Sequence, residues 1–188
     1  KKERGFSLVE LIVVIAIIGL LVSVLYASFD ESRKQARDKA RMTALKDLQL
    51  AVEFYKAQNG RYPAMGCNAT LPPTGDLWVG PGPQPASWGM SCDLYVSGLV
   101  PDYIPALPRD PKFENETGRG FLYKVSNDGT QYKILVHRTV ESLKINSFDE
   151  DFARCPRDTG SPPCTLNNPS APIDDIYAVY SGPDAEVW

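Results

Sequence analysis

Four sets of residues in this 188-residue chain have types and spacings that could do chemistry. Glu10 is a lone carboxylate inside the apolar stretch Phe6-Ser-Leu-Val-Glu-Leu-Ile-Val-Val-Ile. An ionisable group in such a segment is expensive to bury and marks a functional position by default. The plain alternative places it in the first helical turn, wet and favoured by the helix dipole. Four cysteines stand at 67, 92, 155 and 164. With no C-x-x-C spacing, zinc is disfavoured. Four cysteines allow three pairings; Cys67–Cys92 with Cys155–Cys164 is favoured, because each bond pins a Pro/Gly-rich loop locally. Asp174, Asp175 and Asp184 offer oxygen ligands of the kind calcium takes, although EF-hand spacing is absent and acidic surface loops are common. His137 is the single histidine. No Ser-His-Asp or Cys-His set assembles around it, and no Gly-rich phosphate loop is present. No catalytic residue and no cofactor beyond that calcium candidate is therefore expected.

The element that positions Glu10 is the clearest in the chain. Leu11 to Phe29 is a run of 19 residues without a charge. As a helix it spans roughly 28 Å at about 1.5 Å per residue, close to the ~30 Å hydrocarbon thickness of a bilayer. It is apolar on all faces, unlike an amphipathic surface helix. Lys1, Lys2 and Arg4 precede it against Glu3 alone, which keeps the start cytoplasmic and sends the rest of the chain outside. The run is long for a secretory signal core, and no small-residue cleavage site follows it. Gly19, Ser23 and Ala27 recur every four residues, a spacing that lets helices approach closely.

Asp30 to Gln58 continues the helix in polar form. Ala36, Ala40, Thr43/Ala44, Leu48, Ala51/Val52 and Tyr55 step by three and four residues, as one buried stripe would. Asn59-Gly60, followed by Pro63, forms the stop. The basic block Arg33, Lys34, Arg37, Lys39 and Arg41 reads as a solvated face or as ion pairs to neighbouring copies.

Beyond Gly60 the chain is loop-rich to about residue 118, with Pro72-Pro73, Gly80-Pro-Gly-Pro83 and Pro85. Alternation then predicts strands over Gly120–Ser126 and Gln131–Val136 around the turn Asn127-Asp-Gly129. A third strand is expected within His137–Ile145 or Ile176–Tyr180. The fold class that follows is α+β: a long helical spine packed on a small antiparallel sheet. The organisation is residues 1–5 as leader, 6–29 as membrane half, 30–59 as amphipathic continuation and 60–188 as head. The composition, 43% hydrophobic and 23% charged, excludes a wholly disordered chain, and a mean hydropathy of −0.24 excludes a polytopic membrane protein. Net charge is −3, and from Asn59 onward 10 basic residues face 16 acidic ones. Direct nucleic-acid binding by the head is thus disfavoured. An exterior head sits where disulfides persist.

The segment Lys1-Lys-Glu-Arg-Gly-Phe-Ser-Leu-Val-Glu-Leu-Ile12 resembles the class III signal of type IV pilins and type II secretion pseudopilins. The likeness extends through Asn59-Gly-Arg-Tyr-Pro63 and, more loosely, to Leu99-Val-Pro-Asp-Tyr-Ile-Pro-Ala-Leu-Pro-Arg-Asp-Pro111, which resembles a connector leading into a β-meander. The resemblance implies cleavage between Gly5 and Phe6 by a prepilin peptidase and N-methylation of Phe6. It implies Glu10 as the assembly carboxylate, paired in a filament with the Phe6 amine of a neighbouring subunit. It likens Cys155–Cys164 to the carboxy-terminal disulfide loop of many pilins, and Asp174, Asp175 and Asp184 to the calcium loop of major pseudopilins. Many pilins also carry a proline soon after a glycine such as Gly19; here none lies between Phe6 and Gly60. The function implied first is that of a non-enzymatic pilus subunit, held as a single-pass precursor in the inner membrane and polymerised into an extracellular filament. Its implied partners are copies of itself, the inner-membrane assembly platform, minor pilins and, before assembly, lipid. A type II secretion major pseudopilin is the alternative within the family. A binding module or enzyme that uses the helix only as an anchor is the alternative of another class.

Overall fold

The computed structural model describes residues 6–67, 77–148, 150–156, 164, 173–182, 185 and 188; the leader with Gly5, and Asp184, lie outside the described residues. Helix α1 runs Leu8–Asn59, 52 residues, or roughly 78 Å at about 1.5 Å per residue. Ser7 caps its start. It ends where Gly60 turns left-handed at φ 76° and donates its N–H to the Lys56 carbonyl at 2.8 Å, a conformation a side chain disfavours. The N-terminal portion, from Leu8 to Leu21, lies exposed and touches no part of the head. Gly19 and Ser23 are exposed with it, while the Ala27 side chain is outside the described set.

The head is one five-stranded sheet in the order β2-β1-β3-β4-β5, with β1 Trp78–Gly80, β2 Gly89–Ser91, β3 Gly120–Val125, β4 Tyr132–His137 and β5 Tyr177–Tyr180. Strands β3 and β4 form a hairpin with Gly120 opposite His137 and Val125 opposite Tyr132. In its turn the Asp128 carboxylate accepts from the Ser126 and Thr130 hydroxyls and the Thr130 N–H, which pull it down to about 2. Of the two segments expected to supply a third strand, 177–180 does so, antiparallel to β4. The stretch after His137 turns towards the helix instead.

The sheet is mixed, not wholly antiparallel, because β1 and β2 pair in parallel at the edge. These two strands lie in the stretch read as loop. At three residues each they are too short to carry an alternation. The Pro85 carbonyl holds them in place by accepting from the Trp88 and Gly89 N–H groups.

The main core lies between α1 and one sheet face. Leu45, Leu48, Ala51 and Val52 meet Phe121, Tyr123, Val125, Tyr132, Ile134, Val136, Tyr177 and Val179. Each fully buried aliphatic or aromatic side chain contributes about 1.5–3 kcal/mol before entropy. The other face buries Leu122, Leu135, Ile176 and Ala178 beneath Trp78, Trp88 and Tyr180. The helical stripe is therefore two stripes. Its later members face the head, but Ala36, Ala40 and Thr43 are exposed. Towards the head at that level the helix presents Asp38 and Arg41, which are buried by charge pairing with head residues rather than by apolar contact.

Candidate functional site

The first turn of α1 gathers the residues singled out at the amino end. Ser7 has extended backbone (φ −76°, ψ 144°), and its hydroxyl accepts from the Val9 N–H at 3.3 Å. Glu10, three residues on, accepts the Ser7 N–H on its Oε2 at 2.8 Å. The two make a capping box, which satisfies N–H groups that a helix start leaves orphaned. It also sets a negative charge on the positive end of the dipole. Glu10 is exposed and locally partnered in the single chain. Phe6 is 92% exposed just ahead of it. Positions 6 and 10 are one turn apart, so a cationic amine created at Phe6 would arise beside this carboxylate.

The second cluster joins helix to head. Arg41, 1% exposed, donates through Nε and Nη2 to both Asp110 oxygens at 2.8 and 3.1 Å, and through Nη1 to Asp38 at 2.7 Å and Glu141 at 3.0 Å. Arg37 forms a two-point pair with Glu141 at 2.7 Å, and Lys112 reaches it at 2.6 Å. Asp38 also accepts the backbone N–H groups of Glu141, Ser142 and Leu143 at 2.7–3.1 Å. Burial disfavours the Arg41 charge, but Asp110, Glu141 and Asp38 outweigh it and raise its pKa. Burial likewise works against the Asp110 carboxylate, yet Arg41 and the Phe113 and Lys112 N–H groups hold it below the usual range. The Arg37 hydrogen bond is the largest cause of a strongly lowered Glu141.

Arg37 and Arg41 of the basic block are thus spent inside the subunit rather than on a solvated face or a neighbour. The sequence held a signal for this: Asp38 and Arg41 at i, i+3, and the acid of Leu-Pro-Arg-Asp-Pro. Nothing linear links them to Glu141, which is 100 residues from Arg41. Lys34 pairs with Asp30 along the helix at 2.7 Å.

The remaining candidates lie apart. Cys67 is bonded to Cys92, with Cα atoms 5.5 Å apart, and Cys155 to Cys164, at 5.7 Å. His137 donates from Nδ1 to the Gly118 carbonyl at 2.6 Å and stands edge-on to Trp88. Burial pushes its pKa down to about 4, which suits a neutral packing residue. Asp174 is paired with Lys144 at 2.6 Å. Asp175 uses its carbonyl to accept the Thr139 and Val140 N–H groups, and burial raises its carboxyl. With a lysine already on Asp174, these two do not by themselves form a calcium shell. Among the described residues no three His, Cys, Asp or Glu gather as a metal-ligating group.

A sequence pattern described as the prokaryotic N-terminal methylation motif matches residues 1–26. The chain is 30% identical over 135 residues to the type II secretion system core protein G of Pectobacterium carotovorum subsp. carotovorum, covering 71% of this chain and 72% of the relative. It is 31% identical to the protein of the same description from Aeromonas hydrophila, over 59% of this chain and 68% of that one. The Klebsiella pneumoniae counterpart is also 31% identical, over 59% and 70%. No solved structure matches the chain. A capped apolar helix bearing the methylation motif, packed on a small sheet and aligned over most of these relatives, places the chain in the family of the type II secretion core protein G, the major pseudopilins.

Proposed function

We propose that this chain is the repeating subunit of a type II secretion pseudopilus. It is stored in the inner membrane through its apolar helix, cut between Gly5 and Phe6 by a prepilin peptidase, and methylated at Phe6. It then polymerises through the assembly platform, with other pseudopilins, into a filament that serves protein export. The observation that carries this reading is the match to core protein G relatives, which reaches 71% of this chain and 72% of the Pectobacterium relative. It favours the pseudopilin, the alternative of the sequence reading, over the surface pilus put first there; the amino-terminal signature is common to both. A long extracellular filament remains the second reading, supported by the loops that the Cys67–Cys92 and Cys155–Cys164 bonds pin.

Glu10 acts twice in this reading. In the stored subunit it caps its own helix. In the filament, where the rods leave lipid for one another, a carboxylate needs a partner of opposite charge. The new Phe6 ammonium of an adjacent copy supplies it, and the pair sets axial register.

The test is made in the cell of origin. Removal of the gene is expected to stop export of secreted proteins, and mass spectrometry is expected to find a methylated Phe6 terminus. Glu10→Ala is expected to insert in the membrane and be cleaved, yet to yield no filament. Normal export without the chain, or an uncut Gly5, rules the reading out. Surface filaments with intact export select the second reading.

A further inference from the structure

Among the described residues, the buried side-chain atoms without a hydrogen-bond partner gather mainly at one place. They are Arg154 Nε and Nη1, Asp175 Oδ1 and Thr139 Oγ1; the other is Gln84 Oε1, in the connection between β1 and β2. Buried polar groups are as a rule paired, so such a group of exceptions calls for a physical reason. Arg154 is 8% exposed and Thr139 0%. Three interactions bring these residues together where β4 ends and β5 begins. Thr139 donates its N–H to the Asp175 carbonyl at 3.1 Å. The Phe152 carbonyl accepts the Ala178 N–H at 2.9 Å, which lays the segment just before Arg154 along the free edge of β5. Burial pushes the Arg154 guanidinium down to about 10, and the Asp175 carboxylate, which opposes this, is close enough for its charge to be felt. Arg138, at φ 55°, and Phe152, at φ 66°, are left-handed without being glycine and stand just ahead of Thr139 and Arg154. Such conformations persist where the surrounding structure fixes them.

The chemistry of the three groups selects what can join them. Arg154 offers idle N–H donors and a positive charge, Asp175 an idle acceptor and a negative one, and Thr139 a hydroxyl that serves as either. A metal ion is opposed by the guanidinium, and an inorganic anion by the carboxylate. The idle atoms are closed to solvent, which excludes a bulky ligand. A small neutral molecule that both donates and accepts fits all three groups. We propose that ordered water, one or two molecules, is bound between Arg154, Asp175 and Thr139. Its oxygen accepts from an Arg154 N–H, one of its hydrogens is donated to Asp175 Oδ1, and the Thr139 hydroxyl is the third partner. A buried water typically makes about three such bonds, to groups that have no other partner.

The bound water acts as a clasp. Arg154 is the neighbour of Cys155, whose bond to Cys164 closes a loop of its own. Asp175 in turn holds the segment that leaves β4, because its carbonyl accepts the Thr139 and Val140 N–H groups. The next three N–H groups, of Glu141, Ser142 and Leu143, are held by Asp38 on the helix. Residues 139–143 are thus suspended between β5 and α1, and the water ties the disulfide-closed segment to the β5 end of that suspension. Glu141, which pairs with Arg37 and Arg41, is seated by it at one remove. The clasp is independent of the export role.

A high-resolution crystal structure of the full chain in detergent tests the site directly. Water is expected at about 2.7–3.2 Å from polar atoms of Arg154, Asp175 and Thr139. A direct Arg154–Asp175 ion pair, a metal ion, an anion, or no density between these groups overturns the proposal. Hydrogen exchange of the same protein tests the clasp. Arg154→Met and Thr139→Val keep much of the side-chain volume and remove one partner each. Either is expected to speed exchange of the amides of residues 139–143 by about tenfold, the effect of one hydrogen bond to a charged group, with the β3–β4 hairpin amides unchanged. The double variant is expected to exchange little faster than either single one, since both lose the same water. Effects that multiply in the double variant, or that spread equally over the hairpin, overturn the clasp.

Discussion

Arg41 shows at the scale of one residue how the spine is held to the head. Its guanidinium has no solvent contact and answers Asp38, Asp110 and Glu141 from three separate parts of the chain. Such a cluster is a weak source of net stability compared with apolar packing, but its partial removal is costly because the acids stay buried. Arg41→Ala is therefore expected to lower the unfolding free energy by about 3–5 kcal/mol, measured by denaturant titration of the detergent-solubilised chain. A loss below about 1 kcal/mol, the range of exposed pairs, contradicts the burial argument. His137 gives the pH dependence. Burial lowers its pKa from 6.5 to about 4, so between those values the unfolded chain binds more protons than the folded one. The neutral ring's contribution is complete above pH 6.5 and is lost as pH falls towards 4. Further acidification then protonates Asp110 and Glu141, whose folded pKa values are lowered, and removes their contribution as well. His137→Gln, which cannot titrate, is expected to flatten the upper part of that slope. An unchanged pH profile excludes His137 as its source.

Among the elements, the hairpin β3–β4 and the helix α1 were readable because each has a period and a stop. Phe121, Tyr123 and Val125 alternate, as do Tyr132, Ile134 and Val136, on either side of an Asn-Asp-Gly turn, and all six line the core. The crossing of Gly66 over the segment before β3 was not readable. Gly66 donates its N–H to the Tyr95 carbonyl at 2.9 Å, Met65 bridges Val96, and Cys67 is tied to Cys92. A Cβ on Gly66 would stand 1.7 Å from the Leu94 carbonyl oxygen, a backbone atom that cannot swing aside. Gly66→Ala is thus expected to open this crossing, detected as faster reduction of the Cys67–Cys92 bond by a mild thiol. Wild-type reduction kinetics would show that the backbones separate without strain. The sequence shows a glycine between two loops, and only the fold shows why it has no side chain.

The whole molecule is a rod joined to a compact head, and the two halves of α1 live in different solvents. Described rod residues from Leu8 to Val22 are exposed and pack on nothing in their own subunit. Removing residues 1–29 is accordingly expected to leave the head's unfolding free energy within about 0.5 kcal/mol of the full chain, while the need for detergent disappears. A large drop in head stability would show that rod and head are energetically coupled. What the sequence determined by itself is whatever local composition and period can carry. That covers the charge-free run that spans a bilayer, the basic leader, the Phe6–Glu10 spacing, the stop at Gly60 and the β3–β4 hairpin. What tertiary structure decided depends on residues far apart in the chain. It chose Tyr177–Tyr180 as the strand beside β4 and built the edge pair β1–β2 from three-residue pieces. It buried Arg41 among carboxylates on distant loops, turned Ala36, Ala40 and Thr43 outward, and set Tyr103–Ala106 over Leu50 and Phe54. Periodicity identifies an apolar face, but which of two faces meets the head is settled only when the rest of the chain folds back against it.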